Sequence, residues 1–245
     1  MKTTIVLSAL LLTGSLARSL PWQGYAESRV PSLQVQRPGP DAGNGHQSSV
    51  VKNVSPLTVL EYCIADPAPN GNTAWNWGMK PGDTLPFTSG VITAALFTDG
   101  SYEGDWLTAA RMADVYSGRL VQFERIVKRV DDLMSAPGSD AARRETILQA
   151  LQDFPNAPEA TVVDRFKKDF PALARPHEEQ LAYMKQGMGT ARLTVLDHFE
   201  GWPQKASGKS LAQWWDLLKK PQVQNLLVDY VPTPTPGLEP DSALP

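Results

Sequence analysis

The side chains best suited to metal or acid–base chemistry are concentrated in the stretch FTDGSYEGDW, residues 97–106. Four of its oxygen-bearing side chains stand at alternate positions: Asp99, Ser101, Glu103 and Asp105. With the intervening glycine they match the first half of an EF-hand calcium loop, in which alternate residues supply oxygen ligands. The position that should supply the bidentate carboxylate, however, holds Ala110. The favoured interpretation is therefore structural, with Asp99 in a turn and Asp105 capping a helix, and no metal or cofactor is predicted.

A second possible chemistry is general-base catalysis by histidine. His198 lies between Asp197 and Glu200, and a histidine beside carboxylates can take this role. A histidine near the end of a helix is equally explained by its favourable interaction with the helix dipole. His177 begins a sequence similar to the zinc motif H-E-x-x-H, but Leu181 replaces the second histidine. Because the sequence also contains no G-x-S-x-G nucleophile motif, it favours a protein that is not an enzyme.

Two tryptophans offer a third kind of site. Trp75 and Trp77 are two residues apart, which places them on the same face of a strand. An exposed pair would form a stacking platform for a sugar or a peptide, whereas the large area that each ring buries favours a place in the core. The candidate binding residues are therefore Trp75, Trp77, Asp99, Ser101, Glu103, Asp105 and His198.

The charge distribution argues against a nucleic-acid partner. The formal net charge is −3, so the chain as a whole does not attract polyanions. Basic and acidic residues also alternate along the helix-patterned stretch VQFERIVKRVDDLM, residues 121–134, which is typical of a solvated helix face. No glycine-rich phosphate loop accompanies them, and we expect no nucleic acid to bind.

The N-terminus has the organisation of a secretory signal peptide. Lys2 precedes the apolar stretch 5–12, and Ser15 and Ala17 provide the small residues that precede a cleavage site. Cleavage after Ala17 would remove residues 1–17 as the signal peptide. The apolar stretch is much shorter than the roughly 20 residues that cross a bilayer. We therefore expect a secreted or periplasmic protein without a membrane span after cleavage. Its only cysteine excludes an internal disulfide.

Composition also divides the remainder of the chain. Residues 18–50 contain several prolines and glycines and few large apolar side chains, which predicts a disordered linker. Residues 231–245 have the sequence VPTPTPGLEPDSALP, which predicts a proline-rich disordered tail. The folded part should therefore lie between about residues 51 and 230.

Residues 51–104 carry short apolar stretches separated by turn residues, which predicts a small antiparallel β module. In order, they comprise a strand, a proline-rich loop, a strand with the two tryptophans, a KPGD turn and a hairpin at Asp99-Gly100. This order resembles a reduced immunoglobulin-like sandwich, and the resemblance implies a binding or spacing module. The stretch 91–98 is apolar on both faces, so it must be covered on both sides.

From residue 105 to about residue 230, apolar residues recur at helical spacing and predict a bundle of about five helices. Gly187 and Gly189 stand inside the fourth predicted helix, so either this helix breaks there or the glycines allow a close approach by a neighbour. Pro221 is predicted to interrupt the last helix. The predicted fold class is α+β, mainly helical.

Two classes of function follow from these patterns. The first is an exported, non-enzymatic binding protein whose β module or helical groove engages another exported or envelope protein. The alternative is a hydrolase or a calcium-dependent protein that uses the segment 99–105 or His198. A pocket that joins Glu103 or Asp105 to His198 would favour the alternative.

Overall fold

The computed structural model describes residues 26–36, 49–65, 73–87, 89–202, 204, 206 and 208–226, which form an α+β fold of which about half is helical. The strands are β1 Ala26–Ser28, β2 Leu33–Gln36, β3 Ser49–Asn53, β4 Val59–Ala65, β5 Thr73–Met79, β6 Thr84–Phe87, β7 Gly90–Phe97 and β8 Tyr102–Gly104. The helices are α1 Trp106–Met134, α2 Asp140–Gln152, α3 Ala160–Asp169, α4 Gln180–Glu200 and α5 Leu211–Leu226, with a 3-10 turn at Pro171–Leu173. The predicted signal peptide 1–17 and tail 231–245 lie outside the described residues.

The strands form two sheets. The larger has the order β1-β7-β4-β5, and β8 pairs with β7 on the edge that β1 also uses. The smaller has the order β2-β3-β6. All pairs are antiparallel except β1 and β7, which are parallel. The strands within residues 51–104 therefore pair with one another only in the predicted antiparallel manner, and β1, which lies outside that range, makes the larger sheet mixed.

The prediction of disorder for residues 18–50 is wrong for residues 26–36, which contain β1 and β2. The segment has few large apolar side chains, but Ala26, Val30 and Leu33 are all buried in the core between the two sheets. These few apolar contacts, together with backbone pairing to β7 and β3, are enough to order the segment because an existing sheet supplies the partners.

Strand β7 is buried on both faces, as its sequence predicts. Ile92 and Phe97 belong to the core between the two sheets, whereas Ala94 and Leu96 belong to the core shared with the helices. The pairing of β7 with β4 contains register shifts, which change the face on which the following side chains lie. Helix α1 contacts β4, β7 and β8, so the β half and the helical half share one core and neither is a separate body.

Helix α4 is continuous and crosses α1 at very short distance. A Cβ at Gly187 would lie 2.0 Å from the carbonyl oxygen of Val115, and one at Gly118 would lie 2.1 Å from that of Met184. These two glycines therefore allow backbone-to-backbone contact between the helices. Of the two alternatives for the α4 glycines, the structure selects close approach at Gly187.

The ends of the helices differ from the sequence expectations at some places. Asp105 caps α1 as predicted. The sequence places Pro158 and Pro176 at the starts of the third and fourth helices, whereas α3 begins at Ala160 and α4 at Gln180. Helix α5 runs through Pro221 instead of ending there. No helix in the described ranges is both long and apolar enough to cross a membrane.

Candidate functional site

A cavity of about 790 Å³ lies between the larger sheet and the helical layer. The helices contribute polar side chains from the start of α1 and from the first half of α4: Thr108, Arg111, Tyr183 and Gln186. The sheet contributes Cys63 and Ala65 from β4 and Thr93 from β7. Arg29, which follows β1, and Asp105 complete the charged part of the lining.

The close contact between the end of β8 and β7 fixes where α1 begins beside the cavity. Gly104 has a φ of +89°, and a Cβ there would lie 2.1 Å from the carbonyl oxygen of Thr93. Glycine therefore lets β8 lie against β7, and the next backbone N–H, that of Asp105, donates to the same Thr93 oxygen over 2.9 Å. Helix α1 begins directly at this contact, so its first turn is positioned by the sheet.

Asp105 has the capping role that the sequence predicts. Its Oδ1 accepts hydrogen bonds from the backbone N of Thr108 over 2.8 Å and from its Oγ1 over 2.7 Å. These bonds favour the ionised form and lower the pKa of the Asp105 carboxyl. Of the predicted acidic residues, Asp105 lines the cavity, and its Oδ1 already accepts the capping hydrogen bonds of α1.

The other residues of the acidic stretch are held by separate local contacts. Asp99 Oδ1 accepts from the backbone N of Ser101 over 3.0 Å and from its Oγ over 2.6 Å, which closes the turn. Glu103 accepts from the backbone N and the Oγ of Ser32 over 2.9 Å and 2.6 Å, and so joins β8 to the loop after β1. Within the described residues, no group of three or more His, Cys, Asp or Glu side chains is placed to hold a metal ion.

His198 lies away from the cavity. Its ring packs against Trp214 of α5, with centroids 6.3 Å apart and planes 77° apart. Gln186, the last α4 residue in the lining, is twelve positions earlier, which corresponds to about 18 Å along a helix that rises 1.5 Å per residue. The structure therefore does not join His198 to Glu103 or Asp105. Trp75 and Trp77 belong to β5, but their side chains lie outside the described part of the chain.

A buried Asp–His pair was not predicted from the sequence. Asp114 of α1 is fully buried, and its Oδ2 lies 2.6 Å from Nε2 of His177, which precedes α4. Gln180 Nε2 donates to the other Asp114 oxygen over 3.2 Å, and the Trp106 ring meets the His177 ring edge-on. Burial raises the pKa of Asp114 to about 6, against the opposing hydrogen bonds from Gln180 and His177. The pair fixes the start of α4 on α1.

We expect the stability that this pair confers to decrease as pH rises. A folded-state pKa of about 6, above the ordinary value of 3.8, means that the folded protein binds the Asp114 proton more tightly than the unfolded chain. The contribution is therefore complete below about pH 4 and is lost as pH rises through about 6. Relative to Asp114→Asn, the free energy of unfolding of the natural chain should fall by about 2 to 3 kcal/mol between these limits.

Urea unfolding of both proteins at each pH measures this difference, and comparison with the Asn variant removes the contributions of titrating groups that do not contact Asp114. A natural chain that instead gains stability relative to Asp114→Asn over the same range would show that the folded protein favours the ionised form of Asp114.

A second unpredicted pair lies in the core between the sheet and α1. Arg119 Nη2 donates to Oε1 of Glu61 over 2.5 Å, and the two side chains are only 8% and 1% exposed. The Arg119 guanidinium also lies over the ring of Tyr116 at 5.3 Å. Burial raises the pKa of Glu61, and the Arg119 charge opposes this shift. The sequence places Glu61 in a strand, but nothing local identifies a partner 58 residues away.

Comparison with protein-family models, with curated proteins and with solved structures finds no match to this chain. Its function therefore has to be inferred from the geometry of its own residues.

Proposed function

We propose that this chain is an exported, non-enzymatic binding protein and that the cavity between the larger sheet and helices α1 and α4 is its binding site. The observation that carries the proposal is the cavity itself, with a volume of about 790 Å³ and a lining that combines charged, hydroxyl, amide and small apolar groups. Sites for small molecules in proteins are typically concave and about 300–1,000 Å³ in volume.

The cavity is built on rigid elements, which supports a binding role. Most of its lining belongs to β4 and β7 on one side and to α1 and α4 on the other, and the two helices are in backbone contact at Gly118 and Gly187. Side chains held by such elements are pre-organised, so binding costs less conformational entropy.

Export and the nature of the β half complete the proposal. The signal-peptide pattern of residues 1–17 supports a secreted or periplasmic location. We further propose an immunoglobulin-like relationship for the two sheets, and a second role in contacting another exported or envelope protein. A fold of this kind is compatible with many functions, so the cavity carries the functional argument.

The alternative of a hydrolase or a calcium-dependent protein has weaker support. In the described part of the chain, Asp99, Glu103 and Asp105 accept hydrogen bonds from three different residues instead of converging on one point. His198 packs on α5 and not in the cavity. A catalytic site would need an acid or base within hydrogen-bond reach of a common reacting atom.

Cys63 provides a specific test, because it is the only cysteine of the chain and it lines the cavity. A library of small organic acids, amino acids, sugars and nucleotides is screened for compounds that raise the melting temperature. We expect at least one such compound also to slow alkylation of Cys63 by iodoacetamide, measured by mass spectrometry. The thiol is only 1% exposed, so it reacts only when the cavity wall opens locally, and a bound compound disfavours that opening.

Two exposed positions on α4 provide a matched pair of variants. Gln186→Trp fills the cavity from its rim, so a binding compound should no longer raise the melting temperature or slow the alkylation of Cys63. Lys185→Trp, at the neighbouring exposed position outside the lining, should preserve both responses. If no compound affects Cys63, or if compounds act equally on both variants, the cavity is not the binding site.

A further inference from the structure

We propose that the ligand of this cavity carries one anionic group, a carboxylate or a phosphate monoester, that binds between Arg29 and Arg111. This inference rests on the proposed function and adds the chemical class of the ligand. Arg29 comes from the sheet side of the cavity, and Arg111 comes from the helical side. Guanidinium groups are well suited to such anions, because their planar donors match the geometry of carboxylate and phosphate oxygens.

Arg111 is held in position by its neighbours. Its Nε donates to Oε2 of Glu179 over 2.9 Å, its Nη2 contacts the same oxygen, and the guanidinium lies 5.5 Å from the centre of the Tyr183 ring. Glu179 is not part of the cavity lining, so these contacts orient the guanidinium from outside. Among the described contacts Nη1 has no partner, which leaves a donor for a ligand in the cavity.

Arg29 is anchored by its backbone and not by its side chain. Its backbone N donates to the carbonyl oxygen of Ile92 over 2.9 Å, which fixes the residue beside β7. The residue is exposed, and no ion pair of its guanidinium is found within the described residues. Arg29 therefore contributes a positive charge to the cavity without direct contact to a carboxylate among the described residues.

The charge balance of the cavity favours a single anionic group. Asp105 is the only acidic residue in the described lining, and its Oδ1 accepts both hydrogen bonds from Thr108. Two guanidinium groups and one carboxylate give the lining a net charge of about +1, and Glu179, which contacts Arg111 from outside the lining, weakens the positive field further. A polyanion would leave further negative charge without a partner, which is unfavourable in a partly enclosed site.

The remainder of the lining indicates an uncharged body for the ligand. Ala65 presents small apolar surface beside the buried Cys63, and Tyr183 presents an aromatic ring and a hydroxyl. Since the cavity volume is about 790 Å³, a molecule several times larger than its anionic group can enter. The ligand class is therefore a small organic anion with a largely uncharged body.

Phenylacetate tests this inference, and phenylacetamide is its matched control with the same shape and no charge. Phenyl phosphate, whose charge is about −1.5 to −2 at pH 7, extends the test to a phosphate monoester, and the anion that binds more tightly identifies the preferred group. We expect both anions, but not the amide, to bind to the full chain by titration calorimetry and to slow alkylation of Cys63. Loss of one charge-assisted contact should weaken binding about tenfold in Arg29→Gln and in Arg111→Gln.

Arg125→Gln is the matched control variant. Arg125 is also an α1 arginine paired with a glutamate, Glu159, but it does not line the cavity, so its removal should leave binding unchanged. Arg29→Gln keeps the test valid if Arg111→Gln is unstable, because Arg29 is exposed and its described anchor is a backbone bond.

Equal binding of phenylacetate and phenylacetamide, or anion binding that survives both cavity substitutions, would overturn the inference. So would the absence of binding by either anion at millimolar concentration. The proposed function is judged separately: a neutral library compound that protects Cys63 in the natural chain but not in Gln186→Trp would retain the binding role and reject the anion.

Discussion

Replacement of Arg119 by Met is expected to lower the free energy of unfolding by about 3 to 5 kcal/mol. The reason is that Glu61 is only 1% exposed and would lose its charged partner while remaining in the core. A carboxylate in that position must either stay ionised without compensation or bind a proton, and both cost stability. Denaturant unfolding of the natural and variant chains at neutral pH measures the loss.

The double variant Glu61→Met/Arg119→Met shows how much of the stability loss in Arg119→Met comes from leaving the Glu61 charge without a partner and how much from losing the ion pair itself. Replacing both members with apolar groups of similar size removes the unpaired charge, so most of the lost stability should return. Arg125→Met, which breaks the more exposed pair with Glu159, should cost no more than about 1 kcal/mol. A double variant as unstable as Arg119→Met would show that the Arg119 side chain acts through packing, for example on Tyr116.

Gly187→Ala is expected to lower the free energy of unfolding by about 3 kcal/mol or more, near the upper end of overpacking substitutions. The added Cβ would lie 2.0 Å from the carbonyl oxygen of Val115 and 2.9 Å from the backbone N of Arg119. Both atoms belong to the backbone of α1, so no side-chain rotation relieves the overlap and the helices must separate. The midpoint of urea unfolding should fall accordingly.

Gly189→Ala is the matched control, two residues further along the same helix. A Cβ there would meet only the side chain of Asn156, at 3.9 Å, which is an ordinary contact distance. The substitution should therefore stabilise the protein by up to about 1 kcal/mol, through the higher helix propensity of alanine. If Gly187→Ala is as stable as Gly189→Ala, α1 and α4 are not in backbone contact at this point.

The substitutions Arg119→Met and Gly187→Ala both act on elements that line the candidate site. Helices α1 and α4 form one wall of the cavity, and Glu61 and Cys63 lie two residues apart on β4. A change in the distance between α1 and α4 would move Tyr183 and Arg111 relative to each other. We therefore expect Gly187→Ala to impair ligand binding even where the protein remains folded.

The features that the sequence determined by itself are those that depend only on residues close together in the chain. Asp105 caps α1 because its side chain needs only a backbone N–H three positions later. The turn at Asp99 depends in the same way on Ser101. The apolar character of β7 on both faces required a cover on each side, and the small sheet and the helices supply those covers.

Features that depend on distant partners were decided only by the tertiary structure. Residues 26–36 look like a linker when taken alone, because their ordering depends on pairing with β7 and β3. The glycine pattern of α4 left two alternatives, and the backbone of α1 at Val115 selected one of them. In each case the deciding atom belongs to a segment far away in the chain.

The candidate site itself is the clearest example of this difference. The acidic stretch 99–105 drew attention because its carboxylates are close in sequence, yet they make separate local contacts. The cavity instead collects Arg29, Cys63, Arg111 and Tyr183, which no motif relates to one another. Sequence patterns report on side chains that share a helix turn or a strand face. A binding site assembled from two sheet strands and two helices has no such local signature, because its geometry exists only after the layers have packed.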